Sequence, residues 1–138
     1  MSQTVRDVMT RAPITVTPSA SAGQVAELMR DADVGVVLVT DGLELKGLIT
    51  DRDLVVRLLA RGQGPQAEVG EACSSELTYV TPEDDVATAV DLMRTRAIRR
   101  LPVLEDGQPV GIVSIGDLAV AVGGGSVLSD ISEAPSNW

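Results

Sequence analysis

The sequence predicts an α/β (α+β) fold built from two copies of one supersecondary unit. Three observations point there. Equivalent residues recur 64 positions apart: Pro18 and Pro82, Met29 and Met93, Asp53 and Asp117 (82−18, 93−29, 117−53). Each half carries an apolar stripe at helical spacing, and each carries two aliphatic, β-branched runs joined across an Asp-Gly pair. A fixed period marks units that bury their faces against one another. Each copy is also too small to be comfortable as an isolated domain.

Taken in chain order, each unit opens on a short extended lead-in, Ile14 to Thr17 in the first and Leu77 to Thr81 in the second. After Thr17-Pro18-Ser19, the spacing of Ala22, Val25, Leu28 and Met29 predicts a helix, with Ser19 or Ser21 as its N-cap. Val86, Ala89, Val90 and Met93 repeat that stripe, and Glu83, Asp84 and Asp85 put negative charge at the positive helix end. Hairpins follow: Val34 to Val39, Asp41-Gly42 and Leu45 to Ile49, then Leu101 to Leu104, Asp106-Gly107 and Val110 to Ile115. The two Asp-Gly pairs lie 65 apart (106−41), so a one-residue shift is expected at the hairpin. Asp51 opens a second helix through Leu59, ended by Arg61-Gly62, and Asp117 to Val122 opens a shorter one ended by Gly123-Gly124-Gly125. Residues 1–64 are thus expected as the first repeat with its N-terminal lead-in, 65–123 as the second, and 124–138 as a C-terminal tail.

Composition narrows the class. At 138 residues and 44% hydrophobic, the chain is globular, and with no Phe, one Tyr and one Trp its core must be aliphatic. A net charge of −9 argues against nucleic acid or an anionic membrane as the main partner, since both need a basic footprint. It leaves room for a small phosphorylated ligand beside a few local Arg residues, because surface fields decay over about 8 Å in physiological salt. No apolar stretch approaches a membrane span, and the N-terminus lacks a signal-peptide pattern, so a cytoplasmic location is expected. The one cysteine, Cys73, aligns with Met9 and reads as an inert, small apolar residue.

Both copies place Gly-apolar-apolar-Thr/Ser-x-x-Asp at the end of the second hairpin strand, as Gly47 to Asp53 and Gly111 to Asp117. A hydroxyl (Thr50, Ser114) at a helix start suits a phosphate, and the carboxylate three residues on (Asp53, Asp117) suits the paired hydroxyls of a ribose. The same spacing is a capping box worth about 1 kcal/mol to a helix, and spacing alone does not choose between the two. Arg99 and Arg100 enter an apolar strand, where long cations either snorkel into water or face an anion. Their counterparts, Gly35 and Val36, carry no charge, so two binding sites here cannot be equivalent. The chain has no histidine, no nucleophile with an adjacent base and no phosphate-binding Gly-x-x-x-x-Gly-Lys loop, so it is not expected to be an enzyme.

Together these motifs resemble the tandem CBS-domain family, whose paired domains form a Bateman module. The resemblance spans Val5 to about Val122 and rests on Val-x-Pro before the first helix, the Met-containing helix, the hairpin and Gly-Leu-Ile-Thr-Asp-Arg-Asp. It implies two β-α-β-β-α CBS repeats packed through their sheets with pseudo-twofold symmetry, leaving clefts that hold AMP, ADP, ATP or S-adenosylmethionine. Carried over, Asp53 and Asp117 would hold ribose hydroxyls, and Thr50 and Ser114 would lie by the ribose or phosphate. Thr15, Val16 and Pro18, with Tyr79, Val80 and Pro82, would frame the base. Arg99 and Arg100 would face phosphate. Arg52 joins the candidate binding residues, and Gly116 stands in its place in the second copy. The expectation is a free-standing regulatory sensor of adenine nucleotides, with no cofactor or metal, a homodimer acting on an unidentified protein effector. The alternative is a ligand-free homodimeric adaptor working through its surface.

Overall fold

A computed structural model of the protein describes residues 3–73 and 78–121; Leu77, Val122 and the expected tail at 124–138 lie outside the described residues. In chain order the elements are α1 (Val5–Val8), β1 (Thr10–Arg11), β2 (Thr15–Val16), α2 (Ala22–Ala32), β3 (Val36–Asp41), β4 (Glu44–Thr50) and α3 (Asp51–Asp53). The helical path then continues as a π turn (Leu54–Leu58) and a 3-10 turn (Leu59–Arg61), and another 3-10 turn covers Val69–Glu71. The second half adds α4 (Val86–Arg96), β5 (Arg100–Glu105), β6 (Gln108–Ser114) and α5 (Ile115–Ala121). The described residues form two compact units, one spanning 14–73 and the other combining 3–13 with 78–121. The fold is mixed α/β, with one three-stranded sheet in each unit, ordered β2-β3-β4 in the first and β1-β6-β5 in the second.

In the first unit, Ser21 caps α2 reciprocally: its Oγ accepts the Gln24 N–H at 3.2 Å, and its own N–H donates to Gln24 Oε1 at 3.0 Å. Val25 and Met29 are the buried stripe, packed with Val37, Val39, Ile49, Leu54, Leu58, Val69 and Ala72. In the second unit Ala89 and Met93 take the places of Val25 and Met29, and Leu101, Val103, Val113 and Leu118 follow at the same 64-residue offset. Both long helices end on a left-handed residue, Asp33 and Ala97, each with φ 55°. The chain turns there without glycine, which costs each of these residues about 1 kcal/mol.

The hairpins match without the expected shift. Asp41 pairs with Glu44 and Glu105 with Gln108, so the two-residue turns are Gly42-Leu43 and Asp106-Gly107, offset by 64 like everything else. Asp41 belongs to a strand, not to the turn. The turn chemistry differs instead: Asp106 and Gly107 both have positive φ, as a type I′ turn requires, whereas in the first turn only Gly42 does.

The N-terminal lead-in also departs from expectation. Residues 3–13, expected with the first repeat, complete the second: Val5 and Met9 join its core, and β1 pairs antiparallel with β6. Val5 N–H donates to Asp84 O at 2.8 Å and Arg6 N–H to Pro82 O at 2.9 Å. The first unit is closed in the same way by the segment 64 residues later. There Val69 N–H donates to Ala20 O and Gly70 N–H to Pro18 O, both at 2.9 Å. Each half is therefore covered by the segment that the sequence repeat assigns to the other.

Candidate functional site

The strongest candidate is the strand-to-helix junction that both units share. In the first, Gly35 O accepts the Asp51 N–H at 3.0 Å and Val36 pairs with Thr50, which ends β4 and starts α3. Thr50 N–H donates to Asp53 Oδ2 at 2.9 Å, and Asp53 N–H donates to Thr50 Oγ1 at 3.1 Å. Thr50 is 4% and Asp53 8% exposed, and among the described residues they are the buried polar pair. In the second, Arg99 O accepts the Ile115 N–H at 2.9 Å and Arg100 pairs with Ser114. Ser114 N–H donates to Asp117 Oδ2 at 2.9 Å, and Asp117 N–H donates to Ser114 Oγ at 3.2 Å. Gly35-Val36 and Arg99-Arg100 are thus matched by hydrogen bond as well as by sequence.

Both junctions are capping boxes, so the bland reading of the motif is true of each. The capping box leaves Oδ1 of each carboxylate out of its reciprocal pair, and the two units use that atom differently. Asp53 Oδ1 lies 3.4 Å from Arg57 Nε. Among the described residues Asp117 Oδ1 has no partner, and the position matching Arg57 (57 + 64) is Ala121.

The remaining sequence candidates divide between the units. Thr15 is exposed and Val16 half-buried on β2, whose parallel partner is β3. With β3 between them, β2 and β4 lie about 10 Å apart. Pro18 is half-buried and accepts the Gly70 N–H. Arg52 is exposed, and its N–H donates to Asp51 Oδ1 at 2.8 Å. In the second unit Val80 is buried and bridges in parallel to Val103, Tyr79 is 50% exposed, and buried Pro82 accepts the Arg6 N–H. Arg99 and Arg100 are half-buried beside Ser114. Sequence reasoning missed Arg57; comparing positions 57 and 121 across the repeat was the signal that would have found it.

Among the described residues, depressions of the first unit include the following two. One, of about 280 Å³, is apolar and lined by Ala22, Ala26, Leu54, Leu58, Leu59 and Pro65 among others. The other, of about 420 Å³, takes in Val16, Thr17, Gln24, Glu27 and Asp31. Thr50 and Asp53 line neither.

Cys73 contributes to the first core, and burial pushes its thiol above the ordinary value of 9.0, with the Asp53 carboxylate adding to the rise. Arg6 lies 2.6 Å from both Glu83 and Glu105, and hydrogen bonds to those two carboxylates raise its affinity for its proton further. This clamp ties the N-terminal lead-in to the unit it completes. No helix among the described residues is long and apolar enough to cross a membrane.

Comparison with known proteins agrees with this duplicated architecture. The CBS-domain family model matches residues 5–60 and again 69–124. The CBS domain-containing protein YhcV of Bacillus subtilis (strain 168) is 39% identical over 132 residues, covering 93% of this chain and 94% of that protein. The crystal structure of Hypoxic Response Protein I with two coordinated zinc ions is 32% identical, with a TM-score of 0.78, covering 86% of this chain and 98% of that one. The CBS domain pair of protein MJ0100, solved in complex with 5′-methylthioadenosine and S-adenosyl-L-methionine, superposes with a TM-score of 0.81 at 22% identity, covering 89% and 98%. With two family-model matches that together span most of its length, the chain belongs to the CBS-domain family and carries two CBS domains in tandem.

Proposed function

We propose that this protein is a regulatory module that binds an adenosine-containing ligand, AMP, ADP, ATP or S-adenosylmethionine, and catalyses nothing. The observation that carries the reading is the repeated junction of hydroxyl, backbone N–H and carboxylate at Thr50/Asp53 and Ser114/Asp117. Each carboxylate is held in one rotamer by its capping bond, so accepting the two hydroxyls of a ribose costs little further ordering. In the first unit, β2 lies about 10 Å from β4, so a ribose at Asp53 brings a base to Thr15, Val16 and Pro18. Tyr79, Val80 and Pro82 play that part in the second unit, and Arg99 and Arg100 supply cations for a phosphate there. Arg52 does so in the first. That the MJ0100 domain pair holds two adenosine derivatives is consistent with the fold admitting such ligands.

Binding becomes a signal when the ligand favours one of two arrangements of the module. The effector is then a separate protein or a second copy of the chain. A cytoplasmic location follows from such a role, since adenine nucleotides are intracellular ligands. A thermal-shift panel of AMP, ADP, ATP and S-adenosylmethionine tests the proposal: a ligand at a hundred times its dissociation constant adds about 2.7 kcal/mol. That gain should vanish when Asp53→Asn and Asp117→Asn are combined. A panel that moves nothing sinks it.

The adaptor reading has its own support. Val55, Val56 and Leu59 are 55%, 43% and 61% exposed along one helical path, an apolar surface that a second copy would cover. Sedimentation velocity of the wild type against Val55→Glu/Leu59→Glu separates the readings. A dimer lost in that variant, with no nucleotide shift in the wild type, favours the adaptor.

A further inference from the structure

Resting on the nucleoside reading above, we infer that Arg57 makes the two sites unequal: it competes with ligand for Asp53, so the Ser114/Asp117 site fills first and the Thr50/Asp53 site second. Three observations lead there. The first is the contact itself, Arg57 Nε to Asp53 Oδ1 at 3.4 Å, on a carboxylate whose other oxygen is already taken by Thr50 N–H. The second is that Asp117 makes the same capping bond through Oδ2 but, among the described residues, carries nothing on Oδ1. The third is covalent: residue 57 is Arg in one copy and its counterpart, residue 121, is Ala, so the difference is built into the chain.

The consequence is one of degree. A carboxylate oxygen has two lone pairs, so Arg57 does not block a hydroxyl outright. It shares out the negative charge that makes the carboxylate a strong acceptor, and a ligand must displace or weaken the pair to recover it. The Arg57 side chain is 40% exposed, so solvent screens the contact. A pair of that kind changes affinity by about fivefold at most, which is about 1 kcal/mol. Two sites separated by such a factor respond over a wider range of ligand concentration than two equal ones.

The test uses 5′-methylthioadenosine, which carries no phosphate, so that loss of the Arg57 charge acts through Asp53 alone. The ¹⁵N-labelled full chain is titrated and two amide pairs are followed, Thr50 with Asp53 and Ser114 with Asp117. In the wild type the second pair should reach half-shift at about fivefold lower ligand concentration. Arg57→Gln should bring the first pair down to match, leaving the second unmoved, and Ala121→Arg should weaken the second pair by a similar factor. Equal midpoints in the wild type, or an Arg57→Gln midpoint at Thr50 and Asp53 that does not move, overturns the inference and leaves the nucleoside reading standing. Neither pair shifting in any variant removes both together.

Discussion

Removing each carboxylate separately measures what the two junctions are worth without any ligand. Asp53→Ala deletes the acceptor of the Thr50 N–H inside a site where Thr50 is 4% and Asp53 8% exposed. Water does not readily replace it, and an orphaned buried donor costs about 1 to 3 kcal/mol. The Arg57 contact adds under 1 kcal/mol, because that side chain is 40% exposed. Asp117→Ala deletes the same bond in a half-buried setting, where Ser114 N–H can hydrate, so an ordinary cap loss of about 1 kcal/mol applies. The expected penalties are therefore about 2 to 3 kcal/mol for Asp53→Ala and about 1 for Asp117→Ala. Urea denaturation followed by far-ultraviolet circular dichroism reads both. With a slope of about 1.5 kcal/mol per molar, the midpoints should fall by about 1.5 M and about 0.7 M. Equal losses at unchanged slope, or a larger loss for Asp117→Ala, would refute the assignment of burial and ion pairing to the first junction.

Three further outcomes follow from the packing. A Cβ on Gly111 would stand 2.7 Å from Met9 Sδ and 2.8 Å from Thr10 O; the thioether can move but the β1 carbonyl cannot, so Gly111→Ala should cost about 1 to 3 kcal/mol, read by the same denaturation. Arg6→Ala should loosen the N-terminal lead-in, seen as faster hydrogen exchange at the amides of Val5 and Arg6, and raising salt should narrow the gap to wild type. For Cys73, burial raises the folded thiol above its unfolded value, so on a rise in pH the unfolded chain loses its proton first. The stability conferred by the neutral thiol is therefore full below the unfolded value and declines as pH climbs through it toward the folded one. The stability difference between wild type and Cys73→Ala should be flat below about pH 8 and shrink above it. A difference that grows with pH contradicts the assignment.

Much of this molecule was legible in the sequence, and its misses have physical reasons. The 64-residue period named the core correctly, since Met29 and Met93, Val39 and Val103, and Ile49 and Val113 all lie buried in matching places. The capping boxes at Thr50 and Ser114 were also legible, because a hydroxyl three residues before a carboxylate is a local signal. The partner of each lead-in was not. Val5 and Met9 match Val69 and Cys73 in kind, so either segment suits either half, and only the chain's path in space decides. Asp41 misled because Asp-Gly is a turn signal even where the register leaves the Asp in the strand. The π turn at Leu54–Leu58 has no signature in an apolar run, and the mismatch of Arg57 with Ala121, though present in the sequence, gained meaning only through the contact of Arg57 with Asp53.

The most direct measurement is a calorimetric titration of the wild type with 5′-methylthioadenosine beside its 2′-deoxy counterpart. If Asp53 and Asp117 grip a ribose through its paired hydroxyls, loss of one hydroxyl leaves a carboxylate acceptor unmet, and the deoxy compound should bind at least tenfold more weakly, about 1.4 kcal/mol. Equal affinities for the two compounds would contradict a carboxylate grip on the sugar.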